Sequence, residues 1–137
     1  MGTRTPSVLI VGAGVVGASV AWHLAARGAR DVVLLDAGAA PGAGSTARAT
    51  GGFRAQFSTA PNVRLSRLAR EKLRRLADDT GGDAAYTPVG YLFLAHDRAA
   101  LDAFRAARAV QHACGLTEAV ELTPDEAQTI NPHVTLD

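Results

Sequence analysis

The sequence has one cysteine, almost no net charge and no apolar run comfortably long enough to cross a membrane. Each shortage removes a class of protein. One thiol, Cys114, can form neither an internal disulfide nor a multi-cysteine metal site. It lies in an apolar helical segment, which favours a buried core thiol over a reactive one. His23, His96, His112 and His133 are scattered without metal-ligand spacing, so each reads as structural or solvent-exposed. A net charge of +1 gives no field that would draw nucleic acid or anionic lipid. Repeats, low-complexity tracts and a clear flexible linker are also missing. Lysine is nearly absent: thirteen of the fourteen basic residues are arginine. With the abundant alanine, that reads as coding bias and not as a site.

What is present is an ordinary globular composition. The 137 residues are 47% hydrophobic and 20% charged, one domain by length. The most apolar stretch is VLIVGAGVVGASVAWHL, residues Val8 to Leu24. A membrane span needs roughly 20 apolar residues, and His23 and Arg27 limit this one. A signal peptide needs a basic leader, and only Arg4 precedes a run interrupted by three glycines. Without a credible leader or span, the cytoplasm is the default location.

A third reading accounts for more residues. SVLIVG is a β-branched run suited to a strand buried on both faces. Gly12-Ala13-Gly14-Val15-Val16-Gly17 fits G-x-G-x-x-G, and a helix-compatible run reaches Ala26. Gly28 suits a left-handed cap. DVVLLD then forms a second buried strand ending at Asp36, about twenty residues past the glycines, as in the dinucleotide fingerprint. Gly12 permits the tight turn, Gly14 lets a pyrophosphate approach the backbone, and Gly17 lets the helix pack close to the strand. The helix N-terminus offers unpaired N–H groups to phosphates. Asp36 can accept hydrogen bonds from both ribose hydroxyls and would repel a 2′-phosphate, which argues against NADP.

The following segment separates NAD from FAD. An NAD domain would continue with another helix and parallel strand. Ala37 to Phe57 instead reads AGAAPGAGSTARATGGFRAQF, a small-residue loop with three hydroxyls and two arginines. Small side chains let such a backbone lie along an extended cofactor. The glycine fingerprint, Asp36 and GAGSTARATGGFR together resemble the amino-terminal part of the FAD-dependent amino-acid and amine oxidoreductases. That group includes D-amino-acid oxidase, glycine oxidase and sarcosine oxidase, with the sarcosine oxidase β, dimethylglycine dehydrogenase and L-proline dehydrogenase branch most alike. The resemblance spans nearly the whole chain and is most specific from Val8 to Phe57.

The resemblance implies FAD as cofactor. It implies cofactor contacts from the Gly12–Gly17 turn, Asp36 and the adjoining Ala37. Gly44, Ser45 and Thr46 would lie by the pyrophosphate and ribityl chain, and Arg48 near the adenine or phosphates. Thr50, Gly51 and Gly52 would pass close to the isoalloxazine ring. Arg54 matches the position where several members place an arginine for the substrate carboxylate. A guanidinium fork binds a carboxylate bidentately and keeps its proton, so the role is chemically sound. A structural ion pair is the plainer role for either arginine. Some members attach flavin covalently through a histidine in this loop, but none lies between His23 and His96.

Downstream, FSTAPNVRLSRLAREKLRRLADDTGG predicts a helix capped by Thr59 or Ser58, with Pro61 in its first turn. Leu65, Leu68, Ala69, Leu73 and Leu76 form its expected apolar stripe. Its six basic residues, Arg64 to Arg75, are expected to be a solvated face. No aromatics interleave with them as base-stacking platforms. YTPVGYLFLAHD predicts a strand with Gly90 at a bend, its Tyr86 and Tyr91 expected in core packing more than on the flavin side. A helix follows, capped by Asp97 and closed by Gly115, then a short strand AVEL. TPDEAQTI carries a capping box with Thr123 as cap, Pro124 first and Glu126 third.

The expected architecture is α/β. A Rossmann-like FAD-binding βαβ domain, 1–82, precedes the start of a mixed or antiparallel substrate-binding domain, 83–137, and both are incomplete. The expected function is the FAD-binding portion of an amine or amino-acid oxidoreductase, inactive by itself. No residue here suits a general base. The alternatives are an NAD-dependent dehydrogenase and a non-catalytic flavin-binding subunit completed by a partner chain. Missing parallel strands would leave exposed apolar surface, so these residues alone are expected to bind FAD poorly.

Overall fold

A computed structural model describes residues 5–135. Arg4, the single basic residue before the apolar run, lies outside them. The chain forms two compact units, Met1–Gly52 and Phe53–Asp137.

The first unit is a strand-turn-helix-strand. β1 (Val8–Val11) and β2 (Val32–Leu35) pair in parallel, with Val8 opposite Val32 and Val11 opposite Leu35. α1 (Val15–Ala26) connects them. The apolar run is therefore broken at its glycines into a strand and a twelve-residue helix. Among the described residues no helix is long and apolar enough to cross a membrane. α1 closes with a Schellman motif. Gly28 sits at φ 83°, its N–H donates to Ala25 O, and Ala29 N–H donates to Leu24 O. A one-turn helix, α2 (Ser45–Arg48), follows in the loop after β2.

Burial of both strands on two faces is not observed. Val8, Ile10, Val32 and Leu34 are half-buried, while Leu9, Val11, Val33 and Leu35 are exposed, Val11 at 82%. A parallel sheet is normally covered by helices on both sides. Within this unit α1 packs on one side of the sheet, and strand alternation sends every second side chain to the other side.

The second unit is helical. It comprises α3 (Ala60–Arg74), α4 (Leu76–Thr80), α5 (Arg98–Ala113) and α6 (Pro124–Ile130). Its core joins Ala55, Val63, Cys114 and Leu116, with Phe57, Ala60 and Val110 packed around them. Cys114 is buried, as its apolar setting implied. Asp97 caps α5 by accepting from Ala100 N–H at 2.7 Å. Gly115, at φ 80°, closes α5 with a second Schellman motif, its N–H donating to His112 O and that of Leu116 to Gln111 O. The capping box of α6 is complete: Glu126 N–H donates to Thr123 Oγ1, and Thr123 N–H donates to Glu126 Oε2 at 2.7 Å. Thr59 occupies the N-cap of α3 with extended backbone, but its side chain makes no cap bond.

Several expectations fail in this unit, wholly or in part. The single helix predicted from Thr59 to Gly81 is two, separated at Arg75. Its apolar stripe faces inward only in part: Leu65 is 63% and Leu68 59% exposed, while Ala69, Leu73 and Leu76 are half-buried and Val63, outside the stripe, is fully buried. The inward face also uses Arg67 and Arg70, so those two basic residues are not part of a solvated face. Arg67 Nη1 donates to Cys114 O at the end of α5, and Arg70 Nη1 pairs with Glu118. Leucines and arginines recur with the same helical spacing, so periodicity alone could not choose between the faces. Finally, neither 86–97 nor AVEL forms a strand. A strand needs a ladder partner for its N–H and C=O groups, and among the described residues none pairs with either segment.

Candidate functional site

The head of α1 concentrates the unusual backbone of the first unit. Gly12 has φ 103°, a conformation that side chains oppose. A Cβ on Gly17 would lie 1.8 Å from Gly12 O, so only glycine lets the helix come this close to the turn. A Cβ on Gly14 would lie 2.9 Å from Thr46 Oγ1. Helix geometry leaves the N–H groups of Gly14 to Gly17 without intrahelical acceptors. Val15 N–H is taken by Thr46 Oγ1 at 3.0 Å. Ala13 is buried at the bend, while Val15 and Val16 are exposed.

Asp36 reaches this turn from the end of β2. Its Oδ2 accepts from Ala13 N–H at 2.5 Å and its Oδ1 from Gly38 N–H at 2.7 Å. These two backbone donors hold the carboxyl below the usual carboxylate range. The side chain is thereby fixed beside the glycines with its negative charge retained.

The loop after Asp36 folds back onto the same turn. Gly42 N–H donates to Ala13 O at 2.9 Å, and Ala47 N–H donates to Gly42 O. Gly44 is the N-cap of α2, and an added Cβ on it would meet nothing within 4 Å, as at Gly12. The structure thus brings Gly12, Ala13, Gly14, Val15, Val16, Gly17, Asp36 and Thr46 together around one helix end. Ala37, Ser45, Arg48, Thr50, Gly51 and Gly52 lie along the exposed loop, with Gly51 at φ 73°.

Two residues of the turn escaped the sequence reading. Gly38 holds Asp36, and Gly42, at φ 77°, ties the loop to Ala13. Pro41-Gly42 was the available signal, because that dipeptide marks a turn.

The chemistry of this arrangement suits a dinucleotide. Its helix N-terminus attracts a diphosphate, the glycine positions leave room for close approach, and Asp36 offers an acceptor to a sugar. Residues 7–137 match the family model described as DAO, FAD dependent oxidoreductase. The chain belongs to this family of FAD-dependent oxidoreductases. The NAD reading is thereby overturned. FAD-dependent oxidoreductase domain-containing protein 1 of Xenopus laevis is 32% identical over 137 residues, covering 93% of this chain and 27% of the relative. Mitochondrial dimethylglycine dehydrogenase of Rattus norvegicus is 32% identical over 134 residues, covering 94% of the chain and 15% of the relative. The crystal structure of L-proline dehydrogenase from P. horikoshii superposes with a TM-score of 0.84 at 30% identity, over 94% of this chain and 33% of that one. The chain therefore spans a third or less of the family members it matches here.

Arg54 belongs to the second unit. It is exposed, and its guanidinium carbon lies 4.8 Å from the ring centre of Phe57 and 5.6 Å from that of Phe93. Among the described residues it makes no ion pair, so the structural ion pair considered for it is not formed. Tyr86 packs edge-on to Phe53, their ring centres 6.2 Å apart, and Tyr91 stacks on Phe93.

Proposed function

We propose that the chain is the FAD-binding portion of an enzyme that oxidises an amine or amino acid at the carbon next to nitrogen. One observation carries the reading: Asp36, Thr46 and the Gly12–Gly17 turn converge on the head of α1. Asp36 would accept from the adenine ribose, and the N–H groups of the turn would receive the pyrophosphate. Gly44, Ser45 and Thr46 would line the pyrophosphate and ribityl path, with Arg48 beside the adenine or phosphates. Thr50, Gly51 and Gly52 would border the ring system. In this reading residues 1–82 serve the cofactor, and residues 83–137 begin the substrate-binding part.

Bound flavin would supply the redox chemistry, as the acceptor of a hydride equivalent. The chain supplies orientation. Dimethylglycine and L-proline, the molecules named for two relatives, each carry a carboxylate on a carbon bonded to nitrogen. Arg54 would bind that carboxylate and set the reacting carbon in place, a proximity contribution. The oxidised product is an imine, which water cleaves to an amine and a carbonyl compound. No side chain of this segment is assigned to proton removal; a further segment, a partner subunit or solvent would provide it. Location in the cytoplasm is part of the same proposal.

The test is anaerobic reduction of the intact flavoprotein. N-methyl amino acids should bleach the visible flavin band without added nicotinamide. Arg54→Met should raise KM for the carboxylate substrate about 100-fold, as expected for loss of a charge-assisted pair. A bound flavin that no amine reduces would overturn the reading and favour a non-catalytic flavin-binding subunit; an intact protein that holds no flavin would overturn both.

A further inference from the structure

The surroundings of Arg54 are aromatic where an anchoring arginine would ordinarily meet an acid. Phe57 and Phe93 both present ring faces to its guanidinium. The two kinds of partner have different consequences. A carboxylate would occupy the in-plane N–H donors of the fork. An aromatic face attracts the cation through its quadrupole and takes no N–H donor. Two such faces restrict the side chain and leave its hydrogen-bonding edge available.

Both rings are themselves held. Phe57 packs on the Ala55–Val63–Cys114–Leu116 core, and its carbonyl accepts from buried Gln111 Nε2 at 3.1 Å. The Phe93 ring lies 5.9 Å from that of Phe104 and 6.2 Å from that of Tyr91, at 20° to the latter. Gln111 and Phe104 stand two turns apart on α5, so one helix holds the backbone of Phe57 and the ring of Phe93.

We propose that Phe57 and Phe93 are positioning residues that hold the Arg54 guanidinium ready for a substrate carboxylate. The proposal rests on the reading of Arg54 as the carboxylate anchor. Holding the guanidinium in place before binding lowers the ordering cost that a carboxylate would otherwise meet. A Phe→Leu change keeps apolar bulk and removes the π face.

The experiment uses the intact holoenzyme, with acetate as probe and acetamide as its uncharged control. Dissociation constants come from the flavin difference spectrum, a measurement independent of turnover. Phe93→Leu should weaken acetate about five-fold and leave acetamide unchanged, as expected for loss of one cation–π contact. Phe93→Trp should restore acetate binding. Arg54→Met should abolish the preference for acetate, and adding Phe93→Leu to it should cost nothing more. A matching split should appear in kcat/KM for dimethylglycine against its amide. Phe57→Leu should behave like Phe93→Leu; because Phe57 touches the core, the Phe93 series decides if that variant does not fold. Unchanged acetate affinity in flavin-replete Phe93→Leu, with Arg54→Met defective, would overturn this proposal and leave the Arg54 reading standing. Acetate binding no better than acetamide in the unaltered enzyme, or unaffected by Arg54→Met, would overturn both.

Discussion

The two units solve the same problem by different physics. Among its described residues, Met1–Gly52 has one buried apolar residue, Ala13, and an exposed sheet face. Its geometry comes from the backbone: glycines at the turn, a parallel ladder, and Asp36 accepting two N–H groups. Phe53–Asp137 has its own small core and caps the starts of α5 and α6 with side chains. It also ties α3 to the end of α5 through Arg67 and to the turn after it through Arg70. The contrast teaches that a glycine turn can be fully specified where hydrophobic burial is slight. Precision there comes from which atoms can fit, and stability must come from what covers the bare face or from a bound ligand.

The sharpest way to break this comparison is Gly17→Ala. Its Cβ would meet Gly12 O at 1.8 Å, and that neighbour is backbone and cannot rotate away. The change should cost roughly 3 kcal/mol or more and remove flavin from the intact protein, read as the ratio of visible to ultraviolet absorbance. Retained stoichiometric flavin would show that the turn is not set by atomic fit. Next is Val63→Ala, the centre of the second unit. It should cost about 2 kcal/mol by denaturant unfolding. Amide exchange should rise in α3 and α5 while β1 and β2 keep their rates; equal loosening of the strands would merge the two units into one.

Smaller effects refine the same contrast. Thr123→Ala should cost about 1 kcal/mol and fray α6 alone, seen as faster exchange in its first turn. The least change should come from acid. Asp36 has its pKa depressed in the folded state, so its contribution is present above the ordinary carboxylate pKa and is lost as pH falls through the lower folded value. Carboxyl NMR should find Asp36 titrating below the normal aspartate range, with Ala13 and Gly38 amide shifts following the same curve. An ordinary midpoint would mean that the two N–H bonds do not persist in solution.

The first unit was largely legible in the amino acids, because each of its parts is chosen locally. Val8 to Val11 and Val32 to Leu35 form the two expected strands, and the helix between them ends at Ala26 before Gly28. In the second unit the local signals also worked: Asp97, Gly115 and the Thr123–Glu126 box all function as their residue types imply. Failures arose where distant partners decide. Leu65 and Leu68 were indistinguishable by spacing from the face carrying Arg67 and Arg70, whose partners lie near Cys114 and Glu118. Residues 86–97 have strand-like composition but no pairing neighbour among the described residues. Phe57 and Phe93 carried no signal at all, since nothing in their spacing shows that both rings meet Arg54.

The amino acids alone determined the glycine turn, the strand-helix-strand around it, the acid that ends the second strand and the helix caps. All of these follow from steric and hydrogen-bonding rules acting over short stretches of chain or a single βαβ unit. Only the tertiary structure decided which face of α3 is buried, how Gly38 and Gly42 lock Asp36 and its loop, and what surrounds Arg54. The decisive contacts among them, Arg67 with Cys114, Gly42 with Ala13 and Arg54 with Phe93, join residues far apart in sequence, and such contacts leave no periodic trace in either partner.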